Sequence, residues 1–378
     1  MKMVRRPFGK GPAVSIFTLG TMRALGSKEQ MYGVVEAALS AGINHIETAP
    51  AYGPAEIFLE AALKQLKHKR IEPPGGWIIT SKLLPGVRLA EGKQQLLKML
   101  DRLGLPRINN LAVHGLNQHA HFDWAVKDDG AELLQWAKAE GLVDQIGFSS
   151  HGSLCLIEKA IDSGRFDFCS LHLHLLDPER MPLALKAISA GMGVMAISPA
   201  DKGGHLHTPS PILIRDCNPF PPIKLAYRFL LAAGISTLTL GAFQPKDLEI
   251  AKQLMNADGP INESEQKAIN QLKTENARRL GTSQCGQCKK CLPCPKGVPI
   301  PNLLRLRNIA IGHGLEAFAK ERYNLIGKAG HWWEEKNANA CEGCGECLPR
   351  CPNQLPIPAL LADTHQRLAA APSRRLWG

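Results

Sequence analysis

The stretch INHIETAPAYGPAEIFLEAALKQLKHKRIEPPGGWIITSK, residues 43–82, carries one complete unit of the fold. INHIE (43–47) is a short β-branched run, AEIFLEAALKQL spaces its apolar residues at i, i+3 and i+4, and WIITSK (77–82) is a second β-type run. Strand, amphipathic helix and strand in that order predict a parallel crossover. Working outward, the same alternation recurs. Further runs stand at VSIFTLG (14–20), INNLAVH (108–114), QIGFS (145–149), FDFCSLHLH (166–174), GVMAIS (193–198) and STLTL (236–240), with helix candidates such as KEQMYGVVEAALSA and AELLQWAKAE between them. The helices end at glycine, as in SAG and AEG, where a left-handed residue is cheapest. Eight strands, each followed by a helix-sized segment within about 250 residues, predict an α/β chain built as a (β/α)8 TIM barrel. No glycine-rich phosphate fingerprint follows the first run, which argues against a doubly wound sheet.

In such a barrel the reactive groups gather at the C-terminal ends of the strands. Those ends offer Glu47, Tyr52 on the loop just beyond it, Lys82 and His114. At these residues the chain resembles the aldo-keto reductase family: GINHIETAPAYGPAE, ITSK, LAVHG and IGFSS match its motifs over about residues 11–258. The resemblance implies carbonyl reduction with a nicotinamide cofactor, Tyr52 delivering the proton, Lys82 lowering the Tyr52 pKa, a carboxylate holding Lys82, and His114 orienting the carbonyl. Glu47 stands where the family has aspartate, and its extra methylene puts full activity in question. The resemblance further assigns Ser149 and His172 to the nicotinamide carboxamide, with histidine replacing the usual glutamine, and Ser198 and Gly241 to the cofactor-binding loops. Ile197 replaces a common stacking aromatic, Asp247 would repel a 2′-phosphate and Lys246 could compensate, so NADP(H) and NAD(H) both stay open.

The second decisive feature lies near the end of the chain. Cys285, Cys288, Cys291 and Cys294 in CGQCKKCLPCP, and Cys341, Cys344, Cys347 and Cys351 in CEGCGECLPRCP, each set three thiolates two residues apart and a fourth before proline. That pattern grips a cuboidal iron–sulfur cluster better than it suits zinc, whose ligands usually split into two distant pairs. The second run has the spacing of bacterial-type ferredoxins and the first departs from it by one residue. This segment resembles a two-cluster [4Fe-4S] ferredoxin, which implies crossed ligation: Cys285, Cys288, Cys291 and Cys351 on one cluster, Cys341, Cys344, Cys347 and Cys294 on the other.

The expected organisation is a barrel over residues 1–258, a polar connecting helix over 259–284, and a mostly helical ferredoxin-like cluster module over 285–378 whose insert is packed by Trp332 and Trp333. Ser170, His172 and His174 alternate along one strand face and read as pocket lining or core; Cys155, Cys169 and Cys217 read as buried or inert thiols. No stretch has the apolar length of a membrane span, and Arg5-Arg6 lacks the following features of an export signal, so a cytoplasmic protein is expected. Net charge is +11 with basic runs no longer than three, which argues against nucleic acid and suits an acidic electron carrier such as a ferredoxin beside a small-molecule carbonyl substrate. A redox sensor or electron-transfer scaffold on a barrel without reductase activity is the alternative.

Overall fold

The computed structural model describes residues 3–370. The outermost ends of the expected barrel (1–258) and cluster module (285–378) therefore lie outside the described residues. The chain divides into two compact units, Met1–Lys202 with Ala226–Ile261, and Gly203–Leu225 with Asn262–Gly378.

The first unit is a closed parallel barrel. A short antiparallel hairpin, β1 (Arg5–Arg6) with β2 (Val14–Ser15), precedes eight strands: β3 (Phe17–Gly20), β4 (His45–Glu47), β5 (Ile78–Leu83), β6 (Ile108–Val113), β7 (Val143–Ser150), β8 (Phe168–His172), β9 (Gly193–Ile197) and β10 (Thr237–Gly241). They pair in chain order, and β10 closes onto β3 through Leu238 to Phe17 and Gly241 to Gly20. All eight expected strands are present, but the first run is split at Ile16, because Val14 and Ser15 pair with the hairpin while Phe17 onward pairs with the barrel.

The hairpin was not legible in the sequence. Its tip residue Phe8 is fully buried in a cluster with Ile78, Ala112, Phe168 and Met195, one from each of four barrel strands, so it plugs the barrel floor. Above the plug runs a buried polar ladder. Thr18 Oγ1 bonds Thr237 Oγ1 at 2.7 Å and His45 Nδ1 at 2.8 Å; His45 Nε2 bonds Thr80 Oγ1 at 2.7 Å. Asn110 donates to Thr80 at 2.9 Å, and Gln145 donates to Asn110 at 3.0 Å. Six strands are thereby stitched by side chains that all have partners, the condition under which buried polar groups stabilise rather than cost. Burial lowers the His45 pKa to about 3, so its ring is neutral in the fold.

The helices begin where the sequence supplies caps. Ser27 Oγ accepts from the Gln30 N–H at 3.1 Å, and Ser153 caps Leu154–Asp162 in the same way. Gly42 and Gly141, following two of the helices, adopt positive φ of 85° and 67°.

In the second unit the expected connecting helix spans Glu263–Leu280 and opens on an Asn262/Glu265 capping box. Asp216, fully buried at the end of Pro211–Asp216, forms an ion pair with Arg279 of that helix. Helices Ile300–Gly312, Glu316–Tyr323 and Ile357–Leu368 bury Leu303, Leu304, Leu306, Tyr323, Leu360 and Leu361 together with Cys291 and Cys347, and Trp333 packs against that core. Among the described residues no helix is long and apolar enough to cross a membrane.

Candidate active site and cysteine hollows

Register delivers the first four candidates to one rim. Glu47 ends β4 beside Thr80 of β5, Lys82 stands near the end of β5 opposite Ala112 of β6, and His114 follows β6. Tyr52 sits on the turn after β4, where its N–H bonds the Ala49 carbonyl at 3.0 Å. Gly53 has φ +58°, which lets the helix Ala55–His68 start directly behind the tyrosine.

The side chains converge. Lys82 Nζ donates to the Tyr52 hydroxyl at 2.6 Å and forms an ion pair in direct contact with Glu47; the Tyr52 hydroxyl donates to Glu47 Oε1 at 3.1 Å. Lys82 also lies 4.6 Å from the centre of the Tyr52 ring, and the His114 ring stands edge-on to that ring with centroids 5.9 Å apart. Glu47, Lys82 and His114 are buried and Tyr52 is half-buried. The Glu47 carboxylate thus touches both the ammonium and the phenol.

Burial dominates the electrostatics of the pair. Burial raises the Tyr52 phenol above its ordinary value, and burial pulls Lys82 well below the usual lysine range. Desolvation, rather than the lysine charge, therefore sets the resting Tyr52, which keeps its proton. Such a phenol still protonates an alkoxide, a far stronger base than water.

The expected cofactor residues follow the ends of β7, β8, β9 and β10 in turn. Ser149 is buried, its hydroxyl accepting from the Gly115 N–H at 3.0 Å and facing the Val113 carbonyl at 3.5 Å. His172 ends β8 and is drawn to His151 and Lys202, with its Nε2 3.2 Å from His151 Nε2 and 3.1 Å from Lys202 Nζ. Ser198, just after β9, holds φ +50°. Gly241 ends β10, where a Cβ would meet Arg23 Cδ at 2.8 Å; Arg23 is a cation on this rim that the sequence reading passed over. Asp247 is tied into a turn, its carboxylate accepting from the N–H groups of Phe243 and Gln244. Ser170 and His174 are core, as are Cys169, whose thiol burial pushes up to about 12, and Cys217, whereas Cys155 is exposed.

In the second unit the eight remaining candidates ring two hollows. Cys285, Cys288, Cys291 and Cys351 line one, with Leu304, Leu355 and Ile357 behind them. Cys294, Cys341, Cys344 and Cys347 line the other. Each hollow takes its fourth cysteine from the opposite run. Among the described residues no group of three or more His, Cys, Asp or Glu side chains could hold a single metal ion.

The two loops also repeat each other, a signal the sequence reading missed. CPKGVPIP (294–301) and CPNQLPIP (351–358) lead into the helices Ile300–Gly312 and Ile357–Leu368, with Gly297 and Gln354 both at positive φ. Gln287 and Lys289 in the first loop hold the left-handed conformation that Gly343 and Gly345 hold in the second.

A closed parallel barrel with a tyrosine, a lysine, a carboxylate and a histidine on adjoining strand ends defines an oxidoreductase of the carbonyl-reducing barrel class. The chain belongs to the aldo/keto reductase family: the model of that family matches residues 17–208, and the protein is an aldo-keto-reductase-like oxidoreductase. Solved structures share the fold. An aldo-keto reductase from Bacillus halodurans in its holo form is 21% identical with a TM-score of 0.58, covering 71% of this chain and 95% of its own. An aldo-keto reductase of Bombyx mori in complex with NADP is 21% identical with a TM-score of 0.57, covering 72% and 93%. A putative aldo-keto reductase from Pseudomonas aeruginosa is 22% identical with a TM-score of 0.53, covering 67% and 95%. A search of curated proteins found no match.

Proposed function

We propose that the barrel reduces a small carbonyl compound with a nicotinamide nucleotide, and that the second unit carries two [4Fe-4S] clusters. The observation that carries the first part is the 2.6 Å Lys82–Tyr52 contact, backed by Glu47, on strand ends that also present His114. A bound nicotinamide nucleotide supplies the hydride. Tyr52 hands its proton to the carbonyl oxygen as negative charge develops there, Lys82 stabilises the phenolate left behind, Glu47 keeps Lys82 charged against its burial, and His114 donates a second hydrogen bond to the oxygen. Ser198, Gly241 and Arg23, near the ends of β9, β10 and β3, are the residues that would hold the nucleotide, on the side where barrels of this class bind phosphate. The Bombyx mori relative contains NADP, and Arg23 offers a cation for a phosphate, so NADPH is the cofactor to test first.

The cluster reading is supported by the crossed hollows and by the repeated loops, since a ferredoxin-type pair demands that each cluster take one cysteine from the other run. Four thiolates per hollow would hold each cluster, and the clusters would move single electrons. The net charge of +11, with Lys289, Lys290, Lys296 and Arg350 among the loops, favours a small acidic electron-carrier protein as redox partner. The tests are iron and labile-sulfide analysis of anaerobically prepared protein, its electron paramagnetic resonance spectrum after dithionite, and NADPH oxidation with an aldehyde panel. Clusters without NADPH binding would replace the reductase with a redox sensor; iron-free protein would remove the cluster part.

A further inference from the structure

The two cysteine runs differ in length by one residue, and that residue is an arginine. Setting CGQCKKCLPCP against CEGCGECLPRCP, Cys285, Cys288 and Cys291 correspond to Cys341, Cys344 and Cys347, and Pro293 corresponds to Pro349; the second run then inserts Arg350 before its fourth cysteine, where the first passes directly to Cys294. The insertion falls where the chain changes hollow. Cys347 lines one hollow and Cys351 the other, and Arg350 between them lines the hollow of Cys294, Cys341, Cys344 and Cys347.

The guanidinium is anchored at one nitrogen and has a donor to spare at another. Its Nε donates to the Glu346 carbonyl at 3.0 Å, a bond within the loop that fixes the direction of the side chain. Its Nη2 is buried and meets no hydrogen-bond partner among the described residues. A buried donor without an acceptor is costly, the more so on a charged group, and folded chains almost always supply one. The loop's carboxylates do not fill that role: Glu342 pairs with Lys296 at 2.8 Å, and Glu346 meets the arginine through its backbone carbonyl.

A cluster of the kind proposed above supplies the missing acceptors, in its own sulfurs and in the thiolates that ligate it. Its reduction adds one electron and no proton, so negative charge on those sulfurs rises, and a fixed cation lining the hollow favours the reduced form. Arginine keeps its charge at every working pH. We propose that Arg350 donates a hydrogen bond to a sulfur of the cluster held by Cys294, Cys341, Cys344 and Cys347, and that it raises the reduction potential of that cluster rather than of its neighbour. The first run has no residue at this place, and Arg350 does not line the hollow of Cys285, Cys288, Cys291 and Cys351, so the cluster there serves as internal reference. This rests on the two-cluster reading above.

The test uses the full chain prepared anaerobically, with Arg350→Gln and Arg350→Lys variants, iron analysis of each, and potentiometric titration with dithionite followed by electron paramagnetic resonance. Cys294→Ala, which withdraws one ligand of the cluster in question, identifies its signal. The proposal expects reduction of that cluster to weaken at least about tenfold in Arg350→Gln, a fall of about 59 mV for a one-electron couple, while the other cluster stays within about threefold of wild type. It expects Arg350→Lys, which keeps the charge, to recover part of the loss. Two intact clusters with an unchanged midpoint in Arg350→Gln, equal shifts of both midpoints, or no recovery in Arg350→Lys would each overturn it and leave the two-cluster reading standing. Loss of this cluster's iron from Arg350→Gln would assign the arginine to holding the loop and overturn the tuning role. Protein free of iron in wild type and variants alike would remove the two-cluster reading and this inference with it.

Discussion

Replacing Lys82 by methionine tests the core of the site, because the structure fixes both the size of the effect and its pH dependence. Lys82 and Glu47 are only 2% and 4% exposed, so removing the ammonium strands a carboxylate in a dry interior. Breaking a buried pair from one side costs about 3–5 kcal/mol. The carboxylate has an escape, which is to take up a proton, and this sets a ceiling. With an unfolded-state pKa of about 4.3, protonating Glu47 at pH 7 costs about 3.7 kcal/mol and at pH 5 only about 1 kcal/mol. In the variant the folded-state pKa of Glu47 lies above the unfolded value, so the penalty grows as pH rises and shrinks as it falls. Urea unfolding followed by circular dichroism should show Lys82→Met losing about 3–4 kcal/mol against wild type at pH 7 and about 1 kcal/mol at pH 5. Adding Glu47→Gln removes the stranded charge and should bring the protein back to within about 1 kcal/mol of wild type at both values. A penalty independent of pH, or a double variant no more stable than the single one, would refute the coupling.

Tyr52→Phe should lower NADPH-dependent aldehyde reduction by about 10²–10⁴, the usual worth of a positioned proton donor; steady-state rates read this directly. Glu47→Asp withdraws the carboxylate from Tyr52 by about one bond length and should lower kcat by up to about 10²-fold, even though aspartate is the residue usual in the family. His45 gives a stability signature in acid. Its unfolded form takes a proton below about pH 6.5 while the folded form resists until about 3, so stability falls by about 1.4 kcal/mol for each pH unit below 6.5. His45→Gln should flatten that limb between pH 6.5 and 5, and an unchanged slope would assign it to other groups. Cys294→Ala and Cys351→Ala should each remove about half of the iron, each by emptying the hollow lined by the three leading cysteines of the opposite run; metal analysis with electron paramagnetic resonance distinguishes the two.

The barrel was legible because its strands are short β-branched runs separated by amphipathic helices, and period alone sorts the two. Glu47, Lys82 and His114 were legible for a related reason: strand ends in a barrel are known from the strand boundaries, and chemistry collects there. What escaped was whatever depends on neighbours far away in sequence. Phe8 looks like any phenylalanine before a turn, and only the closed barrel floor makes it a plug. Thr18, His45, Thr80, Asn110 and Gln145 sit singly in five different strands, and no local pattern announces that they bond one another. Ser149 carries the family motif, but that its hydroxyl accepts from the Gly115 N–H is something residue type does not encode. Lys202 lies in a loop whose course depends on one left-handed serine. Burial likewise sets the direction of the Tyr52 shift, and the depth of burial is not visible in sequence.

The second unit poses a folding question that the proposed clusters would answer. Its core is made by three helices and loops, and Cys291 and Cys347 are part of that core instead of standing at its rim. Each hollow is bounded by segments more than forty residues apart in the chain, so neither run can complete a cradle alone. Gln287 and Lys289 hold backbone conformations that L side chains rarely adopt, and something must offset that strain. Insertion of the proposed clusters would do so in one step, closing a long loop and joining both runs, and metal binding of this kind is folding free energy. Iron removal should therefore melt the helices Ile300–Gly312 and Ile357–Leu368 together, while the barrel, with its own closed hydrogen-bonded wall, keeps its structure. Hydrogen exchange on iron-free protein measures this, and protection persisting across both helices would show that the apolar core suffices without the clusters.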